Sequence, residues 1–173
     1  LRAVMPSKPA SVETDVSTYV RHLAQSMNLK NQHFSEALIR LSEDRKLSFR
    51  TIERLMANLV LYEISAQHQQ GWFVDVVASL CLMKLNDPKR YALAQAGQLD
   101  WPNTLEWGVK DTNNYDRDPT GHTISQEWKY CSGVPLSRDI LSDFRGFMRV
   151  SRENVLPTLC RHIDGFALPD DLS

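Results

Sequence analysis

Residues 72–88 read WFVDVVASLCLMKLNDP, and the fold turns on them. At helical spacing Val74, Val77, Ala78, Cys81, Leu82 and Leu85 fall on one side. Phe73, Val76, Leu80 and Met83 fall on the other. A helix that is apolar nearly all round belongs in a protein interior, covered by other helices. From Trp72 to Leu85 it has about fourteen residues, well short of the roughly 20 that a bilayer span needs. Asp87-Pro88 then breaks it. Asp caps a following helix, and Pro fits the first helical position, where its missing N–H would be unpaired anyway. The pattern predicts a buried central helix, then a short helix to Ala96 closed by Gly97 in a left-handed conformation.

Outward from this centre, the remaining apolar residues also recur at helical spacing. Val16, Tyr19, Val20, Leu23 and Met27 form one stripe, with Asp15 as its cap and Asn28 as its stop. Phe34, Ala37, Leu38 and Leu41 form a second. Ser48 is a good N-cap, since its hydroxyl accepts from free first-turn N–H groups, and Ile52, Leu55, Met56, Leu59, Val60 and Tyr62 follow it. Asp100 opens a short segment containing Trp101, Leu105, Trp107 and Val109. Residues 110–123 (KDTNNYDRDPTGHT) are polar and read as a loop. The last third reads as two or three more helices, with Ile124 to Tyr130 left open. Ser137 caps a segment with Ile140, Leu141, Phe144, Phe147 and Met148. Ser151 or Asn154 starts a last one with Val155, Leu156, Leu159, Cys160 and Ile163. Pro157 is tolerable there only in the first turn, and Asp164-Gly165 ends the segment. Alternating strand patterns are scarce. The expected class is all-α, a globular bundle of about seven to nine helices. It divides into a linker or extended arm (1–12), a helical lid-like region (13–110), an exposed loop (111–123) and a C-terminal helical region (124–173).

The chain has 173 residues, 42% hydrophobic and 24% charged, with a net charge of -1, which suits a globular protein rather than a disordered one. The near-neutral balance argues against a dedicated nucleic-acid binder. Three separated cysteines, Cys81, Cys131 and Cys160, make no disulfide framework and fit a reducing, cytoplasmic setting. No N-x-[ST] sequon occurs. The first residue is Leu1, which suggests an excised piece of a longer polypeptide or a processed chain.

No phosphate-cradling G-x-x-x-x-G-K-[ST] loop is present, nor G-x-G-x-x-G, H-E-x-x-H, G-x-S-x-G or C-x-x-C. Cys160/His162 and His122/Cys131 lack zinc-site spacing, so no metal is expected, and the cysteines read as small buried hydrophobes. His162 reads as a residue favoured by the negative end of a helix. Asp111, Asn113, Asp116 and Asp118 match a calcium loop in composition alone: Asp116 and His122 stand where an EF-hand needs Gly and Glu. None of His22, His33, His68, His122 and His162 lies in a recognisable nucleophile motif, and no catalytic residue is assigned. Trp101 and Trp107 share an aromatic segment and are candidate anchors for a partner surface, packing being the plainer alternative.

Two stretches carry a family resemblance. Leu47-Ser48-Phe49-Arg50-Thr51-Ile52-Glu53-Arg54-Leu55 resembles the start of the helical lid of AAA+-like ATPases. There a small capping residue precedes an Arg, a hydrophobe and an acidic residue. Leu80-Cys81-Leu82-Met83-Lys84-Leu85-Asn86-Asp87-Pro88-Lys89-Arg90-Tyr91 resembles the apolar helix and Pro break that follow the lid in bacterial KAP-family P-loop NTPases. Pro6 to Leu23 is similar to that family's exit from the ATPase core. The resemblance covers residues 1–110. It implies a parent NTPase using ATP and Mg, with its P-loop, acidic metal-binding motif and catalytic base upstream of Leu1. Several bacterial members of the family are tied to phage exclusion. Arg50 is the residue carried over, as a nucleotide-sensing candidate, and Arg54 as a subunit-contact candidate. A surface Arg50 partnered by Glu53 or Glu43 is the alternative.

Three functions stand as expectations. The first is the C-terminal regulatory or oligomerisation region of a KAP-like NTPase, with no catalytic core or cofactor of its own and the ATPase core as partner. The second is a free-standing helical module binding a protein or a second copy through Trp101/Trp107 or the 110–123 loop. The third is nucleic-acid binding through Lys46, Arg50 and Arg54, or through Arg138, Arg145, Arg149 and Arg152.

Overall fold

The computed structural model describes residues 12–66, 73–104, 123–147 and 150–165. Among them are nine α-helices and one 3-10 turn: α1 Val12–Ser26, α2 Gln32–Arg45, α3 Phe49–Ser65, α4 Val74–Asn86, α5 Pro88–Gln95, α6 Trp101–Thr104, α7 Ile124–Cys131, α8 Arg138–Phe147, the turn Arg152–Asn154, and α9 Val155–Ile163. The protein is an all-α bundle, as the apolar periodicity predicts.

The central helix is α4. Every residue from Val74 to Met83 is buried, because α2, α3, α5, α7 and α9 all pack against it. It is entered through Phe73, a buried residue at φ 53, a left-handed backbone that an aromatic rarely adopts. Aromatic packing holds it there: the Phe73 ring stacks on Phe144 of α8 (5.5 Å) and Tyr130 of α7 (6.3 Å), and those two stack on each other at 4.5 Å. Helices before and after the 105–122 stretch thus share one core.

Local chemistry sets the breaks. Ser48 Oγ accepts from the Thr51 N–H (3.2 Å) and starts α3. Asp87 Oδ1 accepts from the Arg90 N–H (3.3 Å), with Pro88 in the first turn of α5. Gly97 (φ +71) ends α5: its own N–H donates to Ala94 and that of Gln98 to Leu93. A Cβ at Gly97 would also lie 3.1 Å from the Glu153 carbonyl. Asn28 (φ 61) ends α1 by the same pair of bonds, made to Gln25 and Ala24. Ser137 Oγ caps α8, accepting from Ile140 (3.3 Å), and Pro157 lies in the first turn of α9.

One expectation needs correction, and one open stretch resolves into a helix. Asp15 is not the cap of α1: the helix is already formed at Val12 and Asp15 lies inside its first turn. Ile124–Cys131 is a helix with a full capping box, in which Thr123 Oγ1 accepts from the Gln126 N–H (3.1 Å) and Gln126 Oε1 from the Thr123 N–H (3.0 Å).

Candidate interaction face and polar ties

On α3 the buried positions are Ile52, Leu55, Met56, Leu59 and Tyr62. Steps of three and four residues on the opposite side join Arg50, Arg54, Ala57, Leu61 and Ile64. Arg50 and Arg54 are exposed; so are Leu61 (55%) and Ile64 (61%), among the largest hydrophobic exposures of the described residues. Neither arginine makes an ion pair among the described residues. Glu53 instead faces Tyr19 of α1, whose hydroxyl pKa is raised by desolvation and by the Glu53 hydrogen bond. Phe49, half exposed, lies against the Tyr19 ring at 4.5 Å. The face is basic at its N-terminal end and aliphatic at its C-terminal end.

Trp101 is half-buried against the core, with Lys129 Nζ 5.4 Å from its ring centre. Trp107, the candidate calcium loop at Asp111, Asn113, Asp116 and Asp118, and Arg149 lie outside the described residues. Arg138 and Arg145 are exposed on α8, but Arg152 turns inward. Its Nε–H donates to the Tyr130 carbonyl (2.6 Å), and its terminal nitrogen donates to the Lys129 carbonyl (3.0 Å) and to that of Val134. The guanidinium also lies 5.0 Å over the Tyr130 ring. The basic ridge expected near the C-terminus therefore loses this member: Arg152 closes the end of α7. A cleft of ≈ 340 Å³ beside it is lined by Gly97, Leu99, Cys131, Gly133, Arg152 and Glu153 among others.

Two polar ties draw together residues that no local motif links. His162 is buried, and its Nδ1 shares a 2.7 Å hydrogen bond with Ser65 Oγ, joining α9 to α3 under the edge of Tyr62. Next to it, Asp164 holds three partners from α4 and α5: Lys84 Nζ (2.7 Å), Tyr91 OH (3.0 Å) and Gln95 Nε2 (3.0 Å). With three donors converging on it, Asp164 acts as a clamp rather than as an available base. Among the described residues no three of His, Cys, Asp and Glu gather as a metal-ligand set.

All three cysteines are free and buried. Burial pushes the Cys160 thiol up to about 12 and raises Cys81 and Cys131 as well. These raised values make the thiols poor nucleophiles. They also set a pH dependence. The native protein keeps protons that ordinary unfolded thiols lose above about pH 8.5. Stability from these sites is complete below that pH and is lost as pH rises toward the native values. Each site then loses up to about 1.4 kcal/mol per pH unit. The urea midpoint should fall steadily between about pH 8.5 and 10.5, and a thiol reagent should label the cysteines only after unfolding. A flat midpoint with immediate labelling of the native protein would contradict this.

Comparison with known proteins gives no match to a family model, a curated protein or a solved structure. Among the described residues no helix is long and apolar enough to cross a membrane.

Proposed function

We propose that this chain is the C-terminal helical region of a KAP-like P-loop NTPase, cytoplasmic, with a regulatory or oligomerisation role and a place in anti-phage defence. On this reading it holds no catalytic core. ATP and Mg belong to the parent, and the parent's ATPase core is the partner. The observation that carries the reading is the placement of Arg50. It stands exposed in the first turn of a Ser48-capped helix, carries no ion-pair partner among the described residues, and is joined through α3 to a rigid core. A planar, permanently charged guanidinium so placed suits phosphate oxygens of a nucleotide held by another domain. A small rotation of α3 would carry it toward or away from them.

The isolated chain should neither turn over ATP nor bind it tightly in calorimetry. ATP hydrolysis by these residues alone contradicts the proposal. So does a native reading frame without a P-loop upstream of Leu1.

The second reading, a free-standing docking module, is favoured by one specific observation: the exposure of Leu61 and Ile64 on the same outer face of α3. Nucleic-acid binding has less support, since Arg152 is engaged with backbone carbonyls.

A further inference from the structure

The outer face of α3 is unusual in how its chemistry is arranged along the axis. Arg50 and Arg54 occupy the first two turns, Ala57 the middle, and Leu61 and Ile64 the last two. At about 1.5 Å per residue, the face from Arg50 to Ile64 is about 21 Å long. The inner side of the same helix is fixed by α1, α2, α4 and α9, so this face is presented on a rigid support. Its two cations have no ion-pair partners among the described residues, and its two aliphatic side chains are more than half exposed. The geometry points to a docking site for an amphipathic helix of another protein, about four turns long, with acidic residues over Arg50 and Arg54 and aliphatic residues over Leu61 and Ile64. This goes beyond the nucleotide reading, since no nucleotide takes part.

Charge complementarity selects the occupant. Two exposed guanidiniums without ion-pair partners among the described residues favour carboxylates, and the apolar end favours Leu- or Ile-like residues at i, i+3 and i+4 spacing. Ala57, between the two ends, has a small side chain that lets a partner helix come close to the axis. A second copy of this face fits poorly: an antiparallel pairing sets Arg50 against Ile64. An anionic membrane also fits poorly. Surface binding of that kind uses clusters of about four to eight basic residues alongside the apolar stripe. Here two arginines are separated from the apolar patch along the axis, with Glu53 on the neighbouring flank.

The probe is a capped 18-residue helical peptide with Leu at helical spacing in one half and Glu in the other, against a copy carrying Lys for Glu. Affinity for the full chain is read by fluorescence anisotropy. The Glu peptide should bind, and the Lys copy at least about 10-fold more weakly. Leu61→Asp with Ile64→Asp should cost about 10-fold or more. Arg50→Glu with Arg54→Glu should reverse the preference between the peptides. The arginine variants should leave the thermal melt unchanged, and the Asp pair, near the negative end of α3, should lower it by only a few degrees, which separates lost docking from lost folding. The proposal is overturned by no binding of the Glu peptide, by equal binding to wild type and variants, or by variants that alter only binding to phosphatidylserine vesicles. ATP turnover by the proposed parent is scored separately with Leu61→Asp and Ile64→Asp, which leave Arg50 in place, so either proposal can fail alone.

Discussion

Asp75→Ala is expected to remove about 3–5 kcal/mol of stability, a large share of what a domain of this size holds. Asp75 lies in the first turn of the central helix, and its side chain is 1% exposed. Its two oxygens accept from Nε and a terminal nitrogen of Arg40 on α2, both at 3.0 Å, so the pair is bidentate. The acidic group also sits where the positive end of the α4 dipole favours it. Removing the carboxylate leaves a guanidinium, 27% exposed, without this counter-charge at the helix boundary. The cost belongs to the unpaired partner more than to the pair itself. Arg40→Met with Asp75→Leu should therefore recover most of the loss, since a hydrophobic pair of similar volume replaces a buried ion pair at little net cost. Urea unfolding followed by far-UV circular dichroism gives both values. A single-variant loss below about 1 kcal/mol would place the pair in the same class as a solvent-screened surface bridge.

Arg152→Ala is expected to cost about 3 kcal/mol and to loosen α7 and α9 together. One guanidinium here donates to the Tyr130, Lys129 and Val134 carbonyls. The first two already accept one backbone bond each at the close of α7, from the Gly133 N–H (3.3 Å) and the Val134 N–H (3.0 Å), so Arg152 supplies a second, charge-assisted bond to each. Lysine should not substitute. Its ammonium is a point charge and lacks the planar fork that reaches several carbonyls while lying over the Tyr130 ring. Arg152→Lys should therefore recover less than half the loss. Near-UV circular dichroism should change with stability in the alanine variant, since Tyr130 stacks on both Phe73 and Phe144. Full rescue by lysine would show that charge alone matters there.

The parts of this structure that are local in chemistry are legible in the sequence. The all-round apolar run gives the buried α4. Ser48, Asn28, Gly97 and Asp87-Pro88 give helix starts and stops because each acts on backbone groups within a few residues. The parts that depend on distant partners are not legible. Ser65 and His162 are 97 residues apart and meet only because α3 and α9 pack side by side. Arg152 reads as one more surface base until the end of α7 is seen beneath it. Helix α7 itself is obscured in the sequence by Glu127, which is fully buried on the inner side of the helix, has no hydrogen bond to either carboxylate oxygen among the described residues, and so breaks the apolar period. The Thr123-x-x-Gln126 capping box is a local signal that marks its start. For the candidate site, the Ser48 cap and the place of Arg50 in the first turn were readable. That Leu61 and Ile64 share the exposed face with it required the packing, because their apolar character points to a core.

The most direct measurement is ATP turnover, with Arg50→Ala, by the longer NTPase that the proposed function requires as parent. Since Arg50 contributes nothing to the core, the variant should unfold at the wild-type temperature. Its turnover should fall by about 100-fold, the scale seen when one donor to a developing phosphate or oxyanion charge is removed. Turnover and nucleotide affinity equal to wild type would contradict a nucleotide-coupled role for this helical region.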